Sequence, residues 1–141
     1  MITWALIPVK RFDLGKSRLH EVLSARELAA VNQKLFRRTL STAKESGIFR
    51  HMMVISEDEG ALAWALEQGF FALREEPSGS LNSALRQALQ TIQADSAGSV
   101  LIIPTDLPLL IAEDLRLLSG FTPAENGMLL VPDYRMKRSE E

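Results

Sequence analysis

Three short stretches of this 141-residue chain hold residue types at spacings that could do chemistry. The first is "IPVKRFDLGKSRL", residues 7–19. In it Lys10, Arg11, Lys16 and Arg18 crowd four cations together directly after an apolar run. Fixed cations at that density can grip a polyphosphate and offset the charge that shifts as a phosphoryl group transfers. The tripeptide Gly15-Lys16-Ser17 is not a P-loop. That loop needs a second glycine five residues earlier, where this chain has Lys10. A solvated basic turn has the same composition, so the stretch alone leaves both readings open.

The second stretch, "IIPTDLPLL", residues 102–110, ends an apolar run at Pro104 and places Asp106 in a turn between two prolines. A carboxylate there suits Mg2+, which is commonly held by one or two carboxylates together with substrate phosphates. An aspartate in a turn equally often bonds a backbone N–H of its own loop. The third stretch, "SGSLNSAL", residues 78–85, opens a helix with Ser80, Asn82 and Ser83. Helix N-termini present unpaired N–H groups, and an asparagine amide both donates and accepts, as a base or ribose requires. A plain Ser80 cap with an incidental Asn82 has the same letters.

What the chain lacks narrows the chemistry. It has no cysteine, hence no disulfide, thiol nucleophile or cysteine zinc site. Its two histidines, His20 and His51, cannot build a three-histidine metal centre, and no Gly-x-Ser-x-Gly elbow supports a serine nucleophile. Both histidines read as structural.

These stretches need elements to hold them. Apolar runs at 3–9, 51–56, 70–73, 99–104 and 127–132 read as strands. The run "SVLIIP" has the near-continuous apolar character of a strand buried on both faces. Between them lie helical patterns. One runs from Ser24, with Glu27 completing a capping box, to Gly47, with Leu28, Val31, Leu35, Leu40 and Ala43 as its apolar positions. Others cover 57–68, 81–94 and 112–119. Strands alternating with helices predict an α/β fold, a Rossmann-like three-layer α/β/α domain with a mainly parallel sheet and right-handed crossovers. Ligands of such a sheet sit at the carboxyl ends of its strands, which singles out the loops after Val9, Leu73 and Pro104.

Composition fits one globular domain over 1–141: 46% apolar, 24% charged, and no repeats or low-complexity tracts. The net charge of −2 hides an asymmetry, with ten Lys/Arg against four Asp/Glu in residues 1–50 and six against fourteen in 51–141. No basic stripe is interleaved with aromatics, so nucleic acid is not an expected partner. No apolar stretch approaches the ~18 residues of a membrane span. The N-terminal run lacks the basic lead of a signal peptide, and the expected location is the cytoplasm.

Taken in order, an Ile-Pro-Val-Lys strand end followed by Lys-Ser-Arg-Leu, a Leu-Asn-x-Ala-Leu helix start and Asp-Leu-Pro-Leu-Leu after a buried strand resemble the 2-phospho-L-lactate guanylyltransferase family (CofC and FbiD). The resemblance spans residues 4–133. The wider MobA-like nucleotidyltransferases carry a Gly-Gly-rich loop after the first strand, and the lysine-rich loop here favours the phospholactate branch. The resemblance implies a nucleotide-diphospho-sugar transferase-like fold. It also implies transfer of GMP from GTP to 2-phospho-L-lactate or phosphoenolpyruvate, in coenzyme F-420 biosynthesis. It places Lys10, Lys16 and Arg18 on the triphosphate as catalytic cations, with Pro8, Val9 and Pro104 lining the nucleotide site. Ser80, Asn82 and Ser83 fall at guanine and ribose, and Asp106 on Mg2+. The acceptor's phosphate has a second pKa near ~6, so it is already a nucleophilic anion at neutral pH.

Two departures stand out. Ser80 replaces the family's usual glycine before the Leu-Asn pair. After "VPDYR", where the family continues through Gly-Thr-Asn into acceptor-binding elements, this chain reads "MKRSEE". The expectation is therefore a chain lacking the usual C-terminal acceptor-binding part. A second reading of the same fold is a non-catalytic nucleotide-binding remnant or assembly subunit, forming a homo-oligomer through an exposed sheet edge.

Overall fold

The computed structural model describes residues 2–12, 24–76, 81–93, 99–107, 109–118 and 128–130. Strands and helices alternate along them: β1 (Ile2–Val9), α1 (Ala25–Ser46), β2 (Phe49–Ser56), α2 (Glu59–Glu67), β3 (Phe71–Arg74), α3 (Leu81–Gln93), β4 (Val100–Ile102), α4 (Ala112–Leu118) and β5 (Met128–Leu130). The strands form one sheet in the order β3-β2-β1-β4-β5, and every pairing is parallel.

The apolar run of β1 is what a central strand covered on both faces requires. Its Ala5, Ile7 and Val9 enter one core with Phe36 and Leu40 of α1, Ala61 and Ala65 of α2, and Leu115 of α4. Trp4 and Leu6 enter the other, under Ala84, Ala88 and Ile92 of α3. The small residues at 84 and 88 lie one turn apart, so α3 can approach the sheet closely along that stripe.

Helix α1 starts where its capping box places it. The Glu27 N–H donates to Ser24 Oγ at 3.2 Å, and the Ser24 N–H donates to the Glu27 carboxylate at 3.0 Å. It ends at Gly47, whose φ of 68° lies in the left-handed region that glycine enters without a Cβ clash. Its buried stripe differs from the expected one. Phe36 is buried at 1% exposure whereas Val31 is 37% exposed. Residues 28, 36, 40 and 43 share one face, and Val31 lies off that line.

Helix α2 begins two residues later than the acidic run predicts. Asp58 is its N-cap, in extended conformation, with Oδ1 accepting the Ala61 N–H at 3.0 Å. A carboxylate can satisfy that orphan amide only from outside the first turn. Strands β4 and β5 are each three residues, shorter than the apolar runs that contain them.

The chain steps outward from β1 to β2 to β3 over one face, then crosses the other face through α3 to reach β4. The carboxyl ends of β1 and β4 are thus a topological switch point. Helix α4 lies on the α1 side, with Arg116 donating to the Glu45 and Ser46 carbonyls at 3.1 and 3.2 Å, and puts Leu115 into the core that β1 shares with α1 and α2. Among the described residues no helix is long and apolar enough to cross a membrane.

Candidate active site

At the switch point β1 outruns its neighbour. Val9 is level with Ser56 of β2, but the last β1–β4 partners are Leu6 and Ile102, and the Ile103 N–H still donates to the Leu6 carbonyl at 2.9 Å. Residues 104–107 therefore leave the sheet while β1 runs on. Pro8 is half-buried and Val9 buried, so the strand end is anchored in the core. Lys10 and Arg11 just beyond it are exposed. Lys10 and Asp106 follow the same ends of two adjacent strands, and the exposed Asp106 comes after a half-buried Pro104. The turn after Asp106 is closed by the Leu110 N–H on the Leu107 carbonyl at 3.2 Å. Asp114 accepts the Ile111 N–H at 3.1 Å. Backbone atoms and Asp114 thus do the closing work that a turn aspartate would otherwise do.

The end of β2 adds carboxylates that sequence reasoning did not assign to the site. Burial holds the Glu75 carboxyl above the usual carboxylate range. The Glu57 carboxylate raises it further by charge and by a hydrogen bond, and Lys10 pulls it the other way. Lys10, just beyond β1, is therefore in electrostatic reach of an acidic pair following β2 and β3, and a polyphosphate would compete with that pair for it. The missed signal was positional. With the helix assigned from residue 57, the loop after β2 did not count as a strand-end loop, although Glu57 and Asp58 sit in it.

At β3 the Glu75 N–H donates to the Ser56 carbonyl at 2.8 Å, tying this loop to β2. The side-chain amide of Gln87 in α3 holds the residues on either side. Arg74 pairs with Glu59 of α2 at the surface. Asn82 is the second residue of α3. Half-buried Ser83 lines a cavity of about 220 Å3 with Glu76, Arg86, Gln87 and Gln90. Lys16, Arg18 and Ser80 lie outside the described residues. The structure thus brings Lys10, Asp106, Ser83 and the start of α3 to one end of the sheet, with Pro8, Val9 and Pro104 supporting them.

Among the described residues no group of three or more His, Asp or Glu gathers into a metal cage. Mg2+ does not need one, because it keeps waters and takes one or two carboxylates plus substrate phosphates. Asp106, exposed and not bonded to another described residue, fits that demand.

The family described as guanylyl transferase CofC like has a model that matches residues 3–131 of this chain. The phosphoenolpyruvate guanylyltransferase of Roseiflexus castenholzii is 34% identical over 143 residues, covering 96% of this chain and 66% of that protein. The 2-phospho-L-lactate guanylyltransferase of Methanothermobacter thermautotrophicus is 36% identical over 118 residues, covering 82% of this chain and 50% of that one. The chain thus spans between half and two thirds of the length of these two relatives. Among solved structures, a nucleotide-diphospho-sugar transferase candidate from Desulfovibrio desulfuricans G20 superposes with a TM-score of 0.58 over 82% of this chain and 52% of its own, at 17% identity. That likeness is one of fold.

Proposed function

This chain belongs to the guanylyl transferase CofC like family, and we propose that it binds GTP with Mg2+ at the carboxyl ends of β1 and β4 and supports transfer of GMP to a small phosphorylated acid. The observation that carries the reading is the extent of the family match. Residues 3–131 take in all three strand-end loops, from the cations after β1 to the carboxylate after β4. Relatives named for phosphoenolpyruvate and for 2-phospho-L-lactate both align with it, so the acceptor class is a three-carbon acid bearing a phosphate. A cytoplasmic location, where nucleoside triphosphates are made, goes with this reading.

In the reaction an oxygen of the acceptor phosphate attacks the α-phosphorus of GTP. The bond from that phosphorus to its bridging oxygen breaks, and pyrophosphate leaves with the electron pair. No proton need be removed from a phosphate already ionised at neutral pH, so the step requires no general base. Lys10, with Lys16 and Arg18 of the same loop, holds the triphosphate and meets the charge gathering on pyrophosphate. Asn82 and Ser83 at the start of α3, with Ser80 before it, take base and ribose. Asp106 holds Mg2+, which when bound neutralises phosphate oxygens and fixes their direction. The remaining work is positioning, which is where such reactions gain most of their rate.

Calorimetric titration with GTP and Mg2+ tests donor binding, and phosphorus NMR of the mixture with phosphoenolpyruvate or 2-phospho-L-lactate tests transfer. Saturable heat and a new pyrophosphate signal are the expected results. No heat at millimolar nucleotide sinks the reading, and binding without pyrophosphate release confines it to the donor.

A further inference from the structure

Phe12, two residues beyond Lys10, is gripped at both of its backbone polar atoms by side chains from other elements. Its N–H donates to Asp58 Oδ2 at 3.0 Å, across 46 residues of sequence. Its carbonyl accepts from Asn32 Nδ2 at 2.7 Å, across 20 residues. Its ring packs on Phe36 of α1 with centroids 5.5 Å apart. Asp58 is itself fixed. Oδ1 caps α2 through the Ala61 N–H at 3.0 Å, and its own N–H donates to Oγ of the fully buried Ser56 at 2.9 Å. Each carboxylate oxygen therefore has its own amide, one for the helix and one for the loop.

Consequently the segment bearing Lys10 and Arg11 is pinned at both ends. Val9 is held in the sheet beside Ser56, and Phe12 is held by α1 and α2. A free loop would have to order these residues when an anion binds and would lose affinity by that entropy, whereas a pinned one has already ordered them. We propose that Asp58 and Asn32 are positioning residues of the triphosphate site, fixing the backbone from which Lys10 reaches the phosphates. The proposal rests on the nucleotide-binding reading above, and the test separates the two.

The variants are chosen so that helix stability and clamp come apart. Asn32→Ala removes the donor to the Phe12 carbonyl while placing the best helix former in α1. Asn32→Asp keeps the shape but cannot donate. Asp58→Ser keeps a good N-cap for α2 yet has one oxygen, not two, so Phe12 N–H loses its partner. Each is compared with wild type in thermal melts, in amide hydrogen exchange at residues 10–12 without ligand, and in calorimetric titration with GTP and Mg2+. The expected result for all three is faster exchange at residues 10–12 and GTP affinity lower by about three- to tenfold, the scale of one lost hydrogen bond. The melting temperature of Asn32→Ala should fall only modestly, because alanine's helix propensity offsets part of the lost bond. Unchanged exchange in both Asn32→Ala and Asp58→Ser overturns the clamp whether or not nucleotide binds. Faster exchange with unaltered GTP affinity overturns the positioning role. A wild type that binds no GTP sinks the functional reading and this role with it, while the exchange data still decide the clamp.

Discussion

Gln87 stands to Arg74 as a neighbouring strand would. Its Nε2 donates to the Arg74 carbonyl at 2.7 Å, and its Oε1 accepts the Glu76 N–H at 3.0 Å. Between them Glu75 faces inward, donating to Ser56 of β2 at 2.8 Å. β3 is the outer strand of the sheet, and alternate backbone groups of such a strand point away from it unpaired. One side-chain amide thus closes the ladder where the loop toward α3 begins. Gln87→Ala should destabilise the fold by about 1 kcal/mol, since both bonds are solvent-exposed and net values per bond are small. Gln87→Glu keeps the acceptor but sets a carboxylate against a carbonyl, so it should cost more at neutral pH and recover near its own pKa of about 4.3, where a proton restores the donor. Denaturant titrations across that range check both, and a Gln87→Glu protein equal to wild type at neutral pH refutes the clamp.

Glu75 gives the site a pH dependence of definite sign. Its carboxyl is held above the usual glutamate range, by burial first and the Glu57 carboxylate second. The folded protein therefore binds this proton more tightly than the unfolded chain does. Its favourable contribution is complete below the ordinary glutamate range and is lost as pH rises through the raised native value. Glu75→Gln cannot ionise. It should match wild type in acid and melt higher than wild type at neutral pH. Melting curves from acid to neutral pH decide this, and a variant that loses stability at neutral pH shows that the attraction to Lys10 outweighs burial.

Lys10 is the residue that Glu75 and a triphosphate would share. Lys10→Ala should weaken GTP binding about ten- to a hundredfold, the range for a charge-assisted hydrogen bond. The deficit should shrink as salt screens the wild-type interaction. The same change removes the one influence that lowers the Glu75 pKa, so the carboxyl should titrate higher still in a carboxyl-carbon NMR titration. A Lys10→Ala chain with wild-type GTP affinity places the triphosphate elsewhere.

Local signals carried much of this fold. Ser24 with Glu27 and then Gly47 delimit α1 as written, because caps are short-range chemistry between near neighbours. The unbroken apolar runs announce a parallel sheet because a strand covered on both faces has no polar side to show. What stayed illegible was long-range. Nothing near Asn32 or Asp58 in sequence points to Phe12, 20 and 46 residues away. Phe36 and Val31 differ in burial only because of what packs on each face. The side of the sheet taken by α4 likewise depends on α1, through Arg116 and the Ser46 carbonyl. Within the candidate site, strand-end position plus residue type singled out Lys10 and Asp106 as candidates. It passed over Glu57 and Glu75 beside Lys10, where the Glu75 carboxyl is raised by burial and by Glu57.

Asp106 carries the sharpest prediction. If the exposed carboxylate beyond β4 holds Mg2+ with the triphosphate, Asp106→Asn keeps the shape and removes the charge. Mg2+-dependent GTP affinity should then fall by about tenfold or more, a loss seen even when residues outside a metal's direct ligands are changed. Stability should hardly move, because the turn is closed by Leu107 and Leu110 and by Asp114, not by Asp106. Had Asp106 capped the turn, the same substitution would cost about 1 kcal/mol and leave nucleotide binding alone. Paired melts and GTP titrations with and without Mg2+ distinguish the two patterns. The difference between the two titrations is the quantity to watch: it should be large for wild type and nearly vanish for Asp106→Asn, and a variant that keeps it ends the metal assignment.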